Sequence, residues 1–461
     1  MAPPNIVWIT LDSVRADHTS LGDYRRDTTP NMAELGDSGT TFRSCIAHSK
    51  STLPSSGAIL TGYTPSRNTL GIEGNVLPES VPTIPERFSE LGYRTACLSR
   101  NSYVSSATGL DRGFDRFQWL SSSTIRSVGP RTLLKYLLNI RRHSAGLTLD
   151  TAKHASPYLM NETAKGWLDD FAADGDPFFF YLHYNEPHRP YYPPLSYLDK
   201  YADDLSMSAE EAAAFALDVH YNMEEYVANG CEFTDDEWDA LVAMYDAETA
   251  YTDMMVGKLV EYVRSLPLDD TVVVVTADHG ELFGEYGLLS HRYVLHDAVT
   301  HVPMVIDGLE TDLAAGSDDI VQHADVMATL LAMAGGDHED LMGRDLREES
   351  REFAISQREP TTLDSITQHN PSFDTSWFHE GLLTALRTEA HRFQRSEGRT
   401  ELFELPDERT DVAADRPELA AELGSTLESW METHGTPATD AETGEFSGAV
   451  QRQLEDLGYL D

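Results

Sequence analysis

Residues able to do ester chemistry recur in this chain at the ends of expected strands. Asn5-Ile6-Val7-Trp8-Ile9-Thr10-Leu11 is a near-continuous apolar run that ends on Asp12. The β-branched run Thr271-Val272-Val273-Val274-Val275-Thr276-Ala277 ends on Asp278-His279, and Phe178-Phe179-Phe180-Tyr181-Leu182-His183-Tyr184 leads to His188. Apart from these stands a hydroxyl-rich turn, Ser49-Lys50-Ser51-Thr52-Leu53-Pro54-Ser55-Ser56, which opens an apolar helix. A helix start offers unpaired N–H groups and the positive end of a dipole, a natural place for an anion. Two carboxylates, an imidazole and a threonine oxygen make an oxygen-rich site for a divalent cation, which would lower the hydroxyl's pKa and hold the nucleophile. Singly these are common turn, cap and packing residues; their joint placement gives them meaning.

The elements that must position them alternate. Unbroken apolar runs are the mark of parallel strands covered on both faces. Helices are expected over 31–38, 82–92, 157–173, 235–266 and 325–334, with strands at 40–47, 93–99, 177–184, 271–277 and 302–306. In an open parallel sheet the carboxyl ends of the strands share the edge where ligands bind, so Asp12, Asp278, His279 and His183 or His188 converge there and Thr52 enters on the same edge. The fold class expected is α/β, a parallel sheet between helices. Beyond about 345 four short strands and a helix read as a small antiparallel subdomain. The domains are therefore 1–345, with a basic segment at 121–155 and an acidic helical insertion at 200–240, then 346–433, and an acidic, partly mobile tail over 434–461 that ends in a helical piece.

Charge limits the partners. There are 34 basic and 77 acidic residues, a net charge of −43, and only 6 of the cations are Lys. Nucleic acid is excluded as an expected partner, because phosphate binding needs clustered cations. So acidic and Lys-poor a surface suits molar salt, where screening to about 3 Å removes self-repulsion; a halophilic, cytoplasmic, high-salt setting is expected. Cys45, Cys97 and Cys231 show neither metal spacing nor a disulfide pattern, and no run is long enough to span a membrane. Only 121–155 reverses the charge, with Arg126, Arg131, Lys135, Arg141, Arg142 and Lys153 against Asp150. Its amphipathic stretch could cover an anion site or lie on a membrane surface.

In order along the chain, Asn5 to Asp12 with Arg15-Ala16-Asp17, Thr29-Pro30-Asn31, Thr61-Gly62, Gly92-Tyr93-Arg94-Thr95, Gly113-Phe114-Asp115, Glu186-Pro187-His188-Arg189-Pro190-Tyr191, Tyr245-Asp246-Ala247-Glu248, Ala277-Asp278-His279-Gly280-Glu281, Val302-Pro303 and Glu401-Leu402-Phe403-Glu404-Leu405 resemble landmarks of the sulfatases within the alkaline phosphatase superfamily. The resemblance implies an alkaline-phosphatase-like core with a smaller C-terminal sheet, a divalent metal (Ca, Mn, Mg or Zn) and a covalent ester on the nucleophile. It implies Asp12, Asp278, His279 and Thr52 as metal ligands and Thr52 as nucleophile. His188 and His291 fall at substrate or leaving-group positions with Arg292 as the rival of His291, while Asn101 falls by the transferred group; His183 is expected to bind substrate.

The departures from the family pattern are chemical. Counting back two from Pro54 gives Thr52, not the Cys or Ser that becomes formylglycine, and counting forward two gives Ser56, not Arg. Ser13 stands where many sulfatases carry a second Asp. Members with Thr here act mainly on phosphate esters, diesters or phospholipid head groups. The expected function is a metal-dependent hydrolase of sulfate or phosphate esters working through a Thr52 ester without formylglycine, on an anionic substrate that could be a glycan or lipid. A transferase moving such a group among glycans or lipids, and a catalytically silent binding protein, are the alternatives.

Overall fold

The computed structural model describes residues 3–121, 124, 128–148, 150, 153–268, 270–309 and 311–456; Arg126 of the basic segment and the last five residues of the tail lie outside them. The strands in chain order are β1 (Asn5–Leu11), β2 (Thr40–Ile46), β3 (Arg94–Ser99), β4 (Arg116–Trp119), β5 (Phe178–Tyr184), β6 (Thr271–Ala277), β7 (Leu282–Phe283), β8 (Leu289–Ser290), β9 (His301–Asp307), β10 (Ile320–Val321), β11 (Ala354–Arg358), β12 (Leu383–Arg387), β13 (His391–Ser396) and β14 (Arg399–Glu404). Among the described residues the main sheet has eight strands in the order β10-β2-β9-β6-β1-β5-β3-β4. Every residue of β1 and β5 is buried, as expected of strands covered by helices on both faces. The sheet is mixed where an all-parallel one was expected: β9 runs antiparallel to both β2 and β6.

Register aligns the strand ends. Leu11 lies opposite Ala277 on one side and Tyr184 on the other, and Ser99 opposite His183. Asp12 and Asp278, which follow adjacent strands, and Asn101, just past β3, therefore leave the sheet along one edge.

The 31-residue helix Asp235–Ser265 begins with a capping box, in which Thr234 and Glu237 satisfy each other's end of the chain. Its residues from Ala243 to Thr252 are all buried, polar ones included. Four polar groups of this helix hold loops. The Tyr245 hydroxyl donates to the Ser13 carbonyl and accepts from the Arg15 N–H; Asp246 takes Arg26 and the Tyr24 hydroxyl at 2.8 and 2.7 Å. Glu248 accepts from the Tyr192 N–H at 2.8 Å. Asp253 accepts from the backbone N–H groups of Asn31 and Met32, capping a helix (Pro30–Ser38) whose own N-cap residue makes no side-chain cap bond.

The second sheet is antiparallel in the order β11-β12-β13-β14, with the helix Pro417–His434 against it through Leu423 and Leu427. It is stitched to the core: the Gln357 N–H donates to the His48 carbonyl and the Ser49 hydroxyl to the Gln357 carbonyl. The acidic stretch at 200–240 folds as two helices, Ala209–Tyr221 and Met223–Ala228, which build a second apolar core with Leu282, Leu289 and Val294. The tail, expected to be partly mobile, is tied down in its described part. Asn75 and Val76 donate to the Glu442 carbonyl, Gln453 donates to the Arg100 carbonyl, and Leu454 is buried. The three cysteines are free and buried, as packing residues should be. No described helix is long and apolar enough to cross a membrane.

His323 lies beneath the site edge, its Nε2 2.8 Å from the Ala277 carbonyl, so that nitrogen carries the proton. Burial takes it down to about 4, against the smaller pulls of the Ala277 bond and Asp325. The unfolded chain therefore binds a proton near pH 6.5 that the folded chain refuses until about pH 4, so stability is present above 6.5 and is lost as the pH falls between them. The loss is on the order of 3 kcal/mol for this one group. Denaturant unfolding across that window is expected to show the decline, and His323→Gln, which keeps an N–H donor without the titration, is expected to flatten it.

Candidate active site

Asp12, His183 and Asp278, all fully buried, bring one ligand atom each to within 4.8 Å of one another. His183 Nε2 is 3.5 Å from Asp12 Oδ2 and 3.8 Å from Asp278 Oδ2. His279 joins from the other side, its Nε2 3.5 Å from Asp12 Oδ1 and 3.7 Å from Asp278 Oδ2. Thr52 completes the ring. It is the first residue of the helix Thr52–Thr61, buried, with Oγ1 3.3 Å from His279 Nε2 and 3.5 Å from Asp12 Oδ2. Ser51, at the N-cap position, makes no side-chain cap bond, so the hydroxyls of this turn are not employed as its cap.

Neighbours hold the carboxylates in place. Asn101 Nδ2 donates to Asp12 Oδ2 at 2.7 Å and approaches Thr52 Oγ1 at 3.5 Å. The Ser13 hydroxyl donates to Asp12 Oδ1 at 3.0 Å, and the Ser13 and His279 N–H groups both donate to Asp278 Oδ1. Ser13 adopts φ 68°, a left-handed backbone that costs a non-glycine residue on the order of 1 kcal/mol or more; Tyr245 bonds its carbonyl. The hydroxyl at this position thus orients Asp12 where a second carboxylate would have added charge.

The donor set fits a divalent cation. Asp278 Oδ2 and His183 Nε2 are buried and have no hydrogen-bond partner among the described residues. A carboxylate oxygen and an imidazole nitrogen left bare together are costly without a cation or proton between them. Burial raises Asp278, with His279 opposing. Burial also pushes on Asp12, but His188, His183 and His279 outweigh it and hold its carboxyl below the ordinary carboxylate range.

Of three imidazoles in the site, two have assigned tautomers. His279 Nδ1 is 2.9 Å from the Gly280 carbonyl, His188 Nδ1 2.8 Å from the Arg189 carbonyl, and His291 Nδ1 3.2 Å from Glu281 Oε1. A carbonyl can only accept, so Nδ1 of His279 and His188 carries the proton and Nε2 offers its lone pair. The rings cluster, with centroids 4.3 Å apart for His279 and His291 and 5.2 Å for His188 and His291. Burial takes His188 down to about 4 and His291 well below its usual value. Glu281 is pushed up to about 7 by burial, against Arg189 and His279, and its Oε2 accepts from the Tyr191 hydroxyl.

Arg292 Nη1 is 3.0 Å from Glu224 Oε1 on the insertion, and its guanidinium lies within electrostatic range of Lys50. Four neighbours were not anticipated as site residues: Glu281, Arg189, Lys50 and Glu359. Lys50 is buried, its ammonium 2.8 Å from Glu359 Oε1 on the C-terminal subdomain; burial lowers it and Glu359 opposes. A lysine two residues before Thr52, in a chain with 6 lysines, was the available signal. Glu281 and Arg189 belong to runs already singled out, but nothing in spacing alone says which member of a run faces inward.

The sulfatase family model matches residues 4–336. Arylsulfatase K of Bos taurus is 24% identical over 457 residues, covering 92% of this chain and 81% of the relative. Among solved structures, the phosphonate monoester hydrolase of Agrobacterium radiobacter superposes with a TM-score of 0.73 at 20% identity, covering 94% of this chain and 96% of that one. A 2-O GAG sulfatase superposes with a TM-score of 0.67 at 15% identity, covering 94% and 92%. At such identities the structural likenesses speak for the α/β core and its small antiparallel sheet, whereas the family model spans most of the chain: the protein belongs to the sulfatase family.

Proposed function

We propose that this sulfatase-family hydrolase cleaves a phosphate or sulfate ester through a covalent ester on Thr52, without formylglycine, with a divalent cation held by Asp12, Asp278, His279 and Thr52 and with His183 beside it. The observation that carries the reading is the buried Thr52 hydroxyl within 3.5 Å of both His279 Nε2 and Asp12 Oδ2, next to a carboxylate oxygen and an imidazole nitrogen that lack partners. When bound, the cation would lower the hydroxyl's pKa and neutralise the non-bridging oxygens of the ester.

The chain's own residues supply the rest. The N-terminus of Thr52–Thr61 favours the ester's negative charge, and Asn101 holds Asp12 and the nucleophile in register. Thr52 Oγ1 attacks phosphorus or sulfur in line as the bond to the leaving oxygen breaks, and the Thr52 proton passes to an imidazole Nε2. Burial favours the neutral form of both His188 and His291. The bound anion favours the protonated ring, which returns its proton to the leaving oxygen. A water deprotonated by the same imidazole then attacks the Thr52 ester at phosphorus or sulfur, and Thr52 recovers its proton. An alcohol in place of that water would give transfer, so acceptor dependence separates the transferase reading from this one.

Two features support the setting. The excess of acid over base and the scarcity of Lys favour a salt-rich medium. The partnership of Lys50 with Glu359 gives the rim an ammonium that an anionic substrate can recruit.

The chemistry is tested on phosphate monoesters, phosphate diesters, phosphonate monoesters and sulfate esters in high salt. Thr52→Ala is expected to lower turnover by about 10³-fold or more, as loss of a nucleophile does, while Thr52→Ser retains measurable activity. Intact-mass analysis of a quenched reaction should show the transferred group on the peptide containing Thr52. Wild-type turnover with Thr52→Ala unchanged removes Thr52 from the mechanism. For the metal, chelator-treated protein should rise in melting temperature with added Mn²⁺, Mg²⁺, Ca²⁺ or Zn²⁺, by the equivalent of about 2.7 kcal/mol at a hundredfold excess over Kd. Asp278→Asn is expected to abolish that rise, and a rise that survives in it would place the cation elsewhere.

A further inference from the structure

The described part of the basic segment has two faces. Its helix Pro130–Leu138 and the turn of helix Ile140–His143 turn one face inward and another out. Tyr136 and His143 are buried, with Tyr136 against Tyr158 and His143 between Tyr158 and Tyr251. Leu134, Leu137 and Leu138 face solvent at 58, 55 and 77% exposure, and Leu147 follows at 89%. Among the described residues six large apolar side chains are exposed, and four of them fall in these fourteen positions. Exposing leucines in so tight a group costs free energy unless something covers them.

The charge around them says what that is. Leu134, Leu137 and Leu138 recur at i, i+3 and i+4, one face of the helix Pro130–Leu138, and Arg141 and Arg142 follow on the next helical turn. Arg131, Arg141 and Arg142 are exposed beside the leucines and form no ion pair among the described residues. Elsewhere this surface is overwhelmingly acidic, with a net charge of −43, so a general-purpose protein contact would not need a cationic rim here. An apolar stripe flanked by arginines is the composition of helices that lie in the headgroup region of an anionic bilayer.

We propose that residues 130–147 dock the protein on an anionic lipid surface, with the leucines in the headgroup and acyl boundary and Arg131, Arg141 and Arg142 on lipid phosphates. The segment adjoins the edge of the sheet that carries the site: Ser156, just beyond it, bonds Glu186 through both its N–H and its hydroxyl, two residues before His188. Tyr136 lies within electrostatic range of Glu186 and of Arg100, the neighbour of Asn101. Docking is independent of which ester is cleaved.

The test is co-sedimentation with phosphatidylglycerol and phosphatidylcholine vesicles, starting in about 1 M salt, where screening to about 3 Å leaves mainly the apolar contribution, and descending as far as the circular dichroism spectrum is held. Wild-type protein is expected to bind phosphatidylglycerol vesicles, more tightly as salt falls, and phosphatidylcholine vesicles weakly. Leu134→Ser/Leu137→Ser/Leu138→Ser should reduce partitioning about tenfold or more at every salt, and Arg131→Glu/Arg141→Glu/Arg142→Glu chiefly at the lower ones. Both variants should keep the activity on a soluble ester, which separates failure of docking from failure of the chemistry. No wild-type binding to phosphatidylglycerol vesicles, or undiminished binding by the leucine variant, overturns the proposal. So does a concentration-dependent dimer that the leucine variant loses while vesicles remain unbound, which would assign the face to a second copy.

Discussion

Asp12 and Asp278 leave adjacent strands side by side and are sealed from water. Two carboxylates about 5 Å apart at an effective dielectric near 20 repel by about 3 kcal/mol, and each also loses hydration. Nearly every polar feature of the surrounding structure answers that cost. Asn101 and the Ser13 hydroxyl donate to Asp12, two backbone N–H groups donate to Asp278, and the His183 and His279 imidazoles stand between them. Even so, Asp278 Oδ2 remains bare. The protein therefore keeps a concentrated negative site at the price of stability, and a cation bound there would relieve it.

Holding that site requires support from outside the sheet. The left-handed Ser13 would relax if its carbonyl were free, but Tyr245 on the long helix bonds it. The same helix grips the loop from His18 to Met32 through Asp246 and Asp253 and the loop after His188 through Glu248. A single rigid element thus fixes both sequence-distant loops. Burying Tyr245, Asp246, Glu248 and Asp253 looks wasteful for a helix, but each bonds a loop that borders the site.

The central strands were legible because they are buried on both faces, which writes an unbroken apolar run into the sequence. Their order put Asp12 and Asp278 together before any coordinates. The reversal of β9 was not legible: Val302-Pro303-Met304-Val305-Ile306 has the same composition whichever way it runs, and direction is decided by the short 3₁₀ and helical turns before it. His183, expected to bind substrate, stands with Asp12 and Asp278, and nothing in its spacing shows that. Nothing in the spacing of His188 reveals that its Nδ1 meets the Arg189 carbonyl. Nor does the sequence reveal that Lys50 finds Glu359, 309 residues away, since that pair depends on how the small sheet docks against β2. Nor does type or position tell that His291 meets Glu281 while its sequence neighbour Arg292 meets Glu224.

The tautomers constrain the chemistry more than the distances do. A formylglycine diol ester can release its acid by collapsing to an aldehyde, whereas an ester on Thr52 has no such exit and must be attacked at phosphorus or sulfur. Both halves of the proposed cycle then need the same thing, an inward lone pair that takes a proton from an oxygen nucleophile, first Thr52 and then water. His188 and His291 are suited to that demand because their outward nitrogens are occupied, by a carbonyl in one and Glu281 in the other, and because burial keeps both neutral until an anion arrives. A site that gives up the aldehyde needs its imidazoles to work twice, and burying them as neutral acceptors is the condition for it.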